Sequence, residues 1–321
     1  MNRKLIDPFI IALFSVVALA YFYSYPGTKE SLLHLDEIAD IGITFIFLFY
    51  GLQLGPEKLI AGLGNIRLHL VIQAATFILF PVIIILLKPL FATTFFSQVW
   101  LPFFFLAALP STVSSSVVMV SMAGGNTSAA IFNASISSLL GIIITPTWMS
   151  VFMHSQYGDI GIGHVIGKLL LQVLLPVALG LLLHKRFWNF ISHHKARIKL
   201  FDQAIILLIV YCSFSESFYT GAFKNFSFHA LLLVLLLVTA LFFLVYGIMT
   251  LVSNLLHFNR QDRITATFCG SKKSLVHGSV MAKVLFANVA NGGLMLLPLM
   301  LFHAVQLFIV SILAGKMNKA G

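Results

Sequence analysis

Charge is what this 321-residue chain has least of: Asp, Glu, Lys and Arg together make up 9% of it, against about a quarter in soluble domains. With 59% hydrophobic residues, a soluble globular fold is excluded and a polytopic all-α membrane protein is the expectation. No long hydrophilic segment separates the apolar runs, which leaves no room between them for a soluble catalytic or regulatory domain. Cysteine is nearly absent. Cys212 and Cys269 both lie in apolar runs, so no disulfide framework is implied. Enzyme signatures are missing as well: there is no HExxH, no metal-spaced Cys/His set, no phosphate-cradling glycine loop and no paired intramembrane carboxylates. Neither catalysis, nor a metal, nor a cofactor is therefore expected. The net charge of +10 does not argue for nucleic acid, because the basic residues sit in short loops between apolar spans.

What is present is a series of such spans. A transmembrane helix needs about 20 apolar residues, and ten segments qualify, near 8–24, 38–54, 68–88, 99–123, 127–151, 163–184, 202–220, 228–255, 264–286 and 290–314. The first follows Arg3 and Lys4 as a signal peptide would, but bulky Tyr21-Phe22-Tyr23-Ser24-Tyr25 replaces a small-residue cleavage site, so it is read as a retained helix. Of the 20 Lys and Arg residues, thirteen fall on one alternating set of loops, three (Lys29, Lys88, Lys224) on the other, and four within spans. That bias places both termini and the 185–201 loop in the cytoplasm, with the plasma membrane, or the inner membrane of a bacterium, as the location. Ten spans divide into five plus five, an inverted repeat with halves 1–152 and 153–321. Leu35-Asp36-Glu37 before the second span and Phe201-Asp202-Gln203 before the seventh occupy equivalent places.

The fourth and ninth spans, also equivalent, are both interrupted. The fourth carries Pro110-Ser111-Thr112-Val113-Ser114-Ser115-Ser116 and then a Gly124-Gly125-Asn126 turn. Five hydroxyls in six positions surround a helix, so some face a polar interior rather than lipid. Any one of them read alone is a packing residue. The ninth carries Phe268-Cys269-Gly270-Ser271-Lys272-Lys273-Ser274-Leu275-Val276-His277. An ionisable group at mid-bilayer costs roughly 2.5–3.5 kcal/mol and is functional by default. Paired interruptions at matching places in two halves point to a transporter's central site. Lys272 and Lys273 point about 100° apart on a helix and can serve one small site only if the backbone is unwound. Snorkelling suits Lys168 and Lys283, near the ends of their spans, but not this central pair. Glu216, well inside its span, is the candidate counter-charge for one lysine. Asn126 reads as a helix cap, Asn133 as a buried amide in need of a partner, and His277 as a group able to titrate near neutrality, though a lone histidine in a polar break is more often simply hydrogen-bonded.

These motifs, with the Ile-Asp-Pro-Phe opening and the Met-Ala-Gly-Gly-Asn turn, resemble the bile acid:sodium symporter family, and most closely the orphan branch that groups bacterial proteins with the seventh human member. The resemblance covers essentially the whole chain. It implies ten helices, crossing discontinuous helices four and nine, panel and core domains each drawn from both repeats, and alternating access. It also implies sodium sites, which here fall on Ser115 and Ser116, near Ala130 and Ala134, on Phe268 where the family has Glu, and on Lys272 where it has Gln. Sodium chemistry of the usual kind is therefore not expected; a tethered ammonium can stand in for the ion. The expected function is secondary transport of a small or amphipathic organic anion, with Lys272 or Lys273 meeting its charge and Ser115, Ser116, Asn133, Ser271 and Ser274 supplying hydrogen bonds. The alternatives are a non-transporting regulator or sensor on the same fold and, last, an intramembrane enzyme.

Overall fold

The computed structural model describes residues 8–54, 64–91, 94–112, 114–157, 167–224, 226–286 and 292–319. Arg3, Lys4, the Ile6-Asp7 opening, the loop bearing Lys58, and Val113 lie outside them. Every regular element among the described residues is helical: α1 (Pro8–Phe22), α2 (Leu35–Gln53), α3 (Ile66–Leu86), α4 (Thr94–Ala108), α5 (Ser114–Met122), α6 (Thr127–Tyr157), α7 (Gly167–Tyr219), α8 (Phe228–Leu255), α9 (Arg260–Gly270), α10 (Leu275–Leu285) and α11 (Gly292–Lys319). Helices α3, α6, α7, α8 and α11 are each long and apolar enough to cross a bilayer, and α1 and the 97–108 part of α4 are shorter apolar helices. The chain is an integral membrane protein. The expected spans 8–24 and 38–54 fall on α1 and α2. The expected spans 99–123 and 264–286 are each two short helices separated by non-helical backbone, α4/α5 and α9/α10.

One expectation needs correction. The 185–201 segment is not a loop: it is helical on both sides of a kink at His194 (φ −107°, ψ 15°) and belongs to α7. A straight helix of that length would measure about 80 Å, more than twice the hydrocarbon thickness. No glycine or proline occurs in 185–201, so the helix kinks at His194 and resumes rather than opening into a loop. The basic stretch joins two spans as helix.

The chain divides into two compact units. The first comprises residues 1–55, 161–226 and 279–297. In it α2 packs along both limbs of α7 through glycines: a Cβ on Gly51 would lie 3.0 Å from the Gly180 Cα, and one on Gly42 would overlap Ile205. Small residues let membrane helices approach this closely. Phe201 packs edge-on to Phe45 and Phe49.

The second unit comprises 56–160, 227–278 and 298–321. Three asparagines cap three of its helices: Asn65 Oδ1 accepts from Leu68 N (3.1 Å), Asn126 Oδ1 from Ala129 N (3.0 Å) and Asn259 Oδ1 from Asp262 N (2.8 Å). The same three amides donate to one carboxylate, Asp262, at 2.9, 2.9 and 3.0 Å. A buried anion at the positive ends of α3, α6 and α9 thus ties their N-termini together. Gly124, at φ +75°, makes the turn from α5 into α6, a left-handed conformation that glycine takes without strain.

Candidate functional site

The second unit brings the two helix breaks together. Ser274 N donates to Pro110 O (2.9 Å), and Ser111 Oγ donates to Cys269 O (2.7 Å). Where backbone leaves the helix at membrane depth, each freed group must find another partner, and here the residues supply them one by one. Proline at 110 has no N–H and ends α4, exposing the last carbonyls of that helix. Leu109 N reaches Leu106 O, Thr145 Oγ1 donates to Ala108 O (2.7 Å), and Ser137 Oγ accepts from Ser111 N (2.9 Å). The carbonyls of Ala107 and Leu109 take the Lys273 ammonium, at 2.6 and 2.7 Å.

Its third partner is Thr76 O, at 2.7 Å. That carbonyl is free for a local reason. Residues 75–79 form a π-helical turn in which Phe80 N–H reaches back to Ala75 O, and Pro81 has no N–H to offer. Phe77 O, four residues before Pro81, is likewise taken from outside, by Trp148 Nε1 (2.9 Å). The Lys273 ammonium also lies 4.2 Å from the centre of the Phe80 ring, a favourable cation–π distance. The main chain of Lys273 is clamped by Gln306, whose Oε1 accepts from Lys273 N (2.9 Å) and whose Nε2 donates to Lys273 O (2.8 Å).

Lys272 and Lys273 are both 0% exposed, and residues 271–274 are unwound, so the two side chains diverge to different partners. Lys272 Nζ donates to Ser115 O at 3.1 Å. The expected ion pair with Glu216 is not made. Among the described residues neither lysine of the break makes an ion pair: three carbonyls satisfy Lys273 and one meets Lys272, while Glu216 belongs to the first unit and accepts from Lys29 N (3.2 Å). The hydroxyls of the breaks are engaged locally. Thr112 Oγ1 lies 2.7 Å from Ser115 Oγ and 2.8 Å from Ser116 Oγ, and Ser271 Oγ donates to Thr267 O (2.7 Å). Ser274 Oγ caps α10 by accepting from His277 N and meets His277 Nδ1 at 2.9 Å, so His277 is a hydrogen-bonded histidine of the break. Asn133 stands apart on α6, donating to Ala129 O, meeting His69 Nδ1 at 2.8 Å and accepting from Gln73 Nε2. Phe268 is fully buried and offers no oxygen.

The first unit contains a cavity of about 390 Å³ whose charged lining is Lys29, Asp36, Asp40, Lys168, Glu216 and Lys283. Lys283 does not snorkel as expected. It pairs with Asp40 Oδ1 at 2.9 Å and donates to Asp36 O, since a carboxylate within reach stabilises an ammonium better than apolar surroundings do. Lys168, also expected to snorkel, lines the same cavity. The signal in the sequence was the set Asp40, Lys168, Glu216 and Lys283, each a charge inside or at the edge of an apolar run. Their convergence is a matter of packing.

The profile of the SBF-like CPA transporter family matches residues 7–319. Among similar proteins, an uncharacterised protein of Pseudomonas aeruginosa is 38% identical over 98% of this chain and 93% of its own. The "Putative symporter YfeH" of Escherichia coli is 36% identical over 98% of this chain and 94% of its own, and the sodium/bile acid cotransporter 7 of Danio rerio is 28% identical over 95% and 91%. With two helix breaks meeting in one unit and a family match over residues 7–319, this chain belongs to the SBF-like CPA transporter family.

Proposed function

We propose that the protein is a secondary transporter of a small or amphipathic organic anion that works by alternating access and is not coupled to sodium in the usual way. One observation carries the reading: among the described residues an unwound, fully buried Lys272 donates to one carbonyl, Ser115 O, where an ammonium has three N–H donors. Two donors are then available to an anion, and the hydroxyls of Ser115 and Ser116, at the start of α5, and of Ser271, after α9, belong to the two breaks that meet here. The names of its relatives, a symporter and a sodium/bile acid cotransporter, support transport. The lack of an acidic side chain at Phe268 and the cation at Lys272 speak against a sodium ion there, because a hard cation gains from anionic oxygen ligands.

The same reading takes the chain as ten spans in two inverted repeats, 1–152 and 153–321, with both termini cytoplasmic, α4/α5 and α9/α10 as the crossing discontinuous helices, and the two compact units as the moving parts. The charged cavity of the first unit is then part of the substrate's route, with Lys168 offering it a positive charge. The test is a thermal-shift screen of the purified protein against organic anions, followed by uptake into proteoliposomes with and without sodium. Lys272→Ala is expected to abolish anion stabilisation and uptake. Unchanged anion response in that variant overturns the lysine site, and a sodium requirement of wild-type uptake overturns the uncoupled reading.

A further inference from the structure

We propose that Lys273 is a built-in cation: its ammonium fills a three-carbonyl cage formed by Thr76, Ala107 and Leu109, and that cage, emptied of the side chain, takes a free monovalent cation or a primary ammonium. The cage belongs to the second unit alone and stands whether or not the chain transports an anion.

The geometry is matched in number and in kind. Three carbonyl oxygens at 2.7, 2.6 and 2.7 Å meet the three N–H groups of one ammonium, at the short distances of charge-assisted hydrogen bonds. A neutral amine, with two N–H groups, would leave one of the three acceptors without a donor. Each carbonyl is orphaned by the local sequence rather than borrowed from a helix. Thr76 O loses its helical donors to the π turn and Pro81. Ala107 O and Leu109 O are left over where Pro110 stops α4, at the negative end of that helix. The Phe80 ring adds a cation–π contact to the same ammonium. Buried carbonyls with no donor each cost free energy, so three bare ones converging on a point make a strong demand for a cation. Gln306 holds the lysine backbone on both its N–H and C=O, so the stem enters the cage from a fixed direction. Among the described residues Lys272, one residue away, meets one carbonyl rather than three, and the adjacent lysines therefore divide their roles.

Two variants test this by thermal unfolding of the full chain in detergent, with no anionic ligand added, in the chlorides of choline, sodium, potassium and methylammonium at equal ionic strength. Wild type is expected to melt at the same temperature in all four. Lys273→Ala is expected to melt at least about 5 °C lower in choline, whose quaternary nitrogen has no N–H, and to recover in a concentration-dependent way with methylammonium, by mass action on the vacated cage. Lys273→Met fills the stem's volume but leaves the carbonyls bare; it is expected to melt well below wild type and to respond to no cation. Lys273→Met melting with wild type overturns the proposal whether or not Lys273→Ala survives extraction. So does a Lys273→Ala protein that melts identically in all four salts. Wild-type protein that transports no anion, beside a Lys273→Ala protein that shows the cation response, would sink the transport reading and leave the cage standing.

Discussion

Replacing Asp262 by Asn is the sharpest test of what holds the second unit together. The carboxylate is 6% exposed and accepts from Asn65, Asn126 and Asn259 at 2.9–3.0 Å. Asparagine has the same shape but one acceptor oxygen in place of two, and its own NH2 would point at a neighbouring amide donor. At least one of the three bonds is lost, and the others pass from charged to neutral. Hydrogen bonds to charged groups contribute about 1.5–3 kcal/mol each against about 1 for neutral ones, so the expected destabilisation is about 2–4 kcal/mol. The helix dipoles act in the same direction, since three N-termini lose their common anion. For a chain of this size each kcal/mol moves the melting temperature by about 2 °C, so Asp262→Asn is expected to melt about 4–8 °C below wild type. The caps remain: Asn65 and Asn126 keep Leu68 N and Ala129 N. Asn126→Ala, which removes a cap as well as a carboxylate bond, should therefore cost a similar amount, and in the Asp262→Asn background its effect should shrink to that of the cap, about 1 kcal/mol. Asp262→Asn melting within about 1 °C of wild type, or full additivity in the double variant, would refute the node as a cooperative unit.

Other outcomes follow from the same contacts. Lys283→Ala and Asp40→Asn should each lower the melting temperature, and the double variant should lose less than the two single losses together; the pair is partly exposed, at 17% and 35% of its side chains, so the coupling should be about 1 kcal/mol and should weaken in high salt. Gly180→Ala is expected to destabilise by about 1–3 kcal/mol, because its Cβ would meet the Leu52 backbone N at 2.7 Å and backbone cannot step aside as a flexible side chain can; a wild-type melting curve would contradict the close α2–α7 packing. Gln306→Leu keeps the volume but strips both main-chain partners from Lys273, and should cost about 2–4 kcal/mol. A loss under about 1 kcal/mol would mean that the unwound segment does not depend on that clamp.

Membrane embedding, the interrupted fourth and ninth segments, the Asn126 cap and the buried lysine pair were legible in the order of residues, because each rests on a local property: apolar run length, a proline without an N–H, a Gly-Gly turn, a charge in the wrong solvent. The kinked helix of the 185–201 connector is not legible there for the same reason, since clustered positive charge marks a connecting segment without saying that it is a loop. Which groups answer the lysines was beyond such reading. The oxygens around Lys273 come from Thr76, Ala107 and Leu109, more than 160 residues away in the chain, and a backbone carbonyl has no identity in a sequence of side chains. Nor can the sequence alone choose between Glu216, the carboxylate deepest inside a span, and Asp40, which pairs with Lys283. Ionisable residues announce that a partner exists, because burying a bare charge is too costly. Only the packing of distant helices decides which partner it is, and at Lys273 it chose three peptide oxygens freed by two prolines.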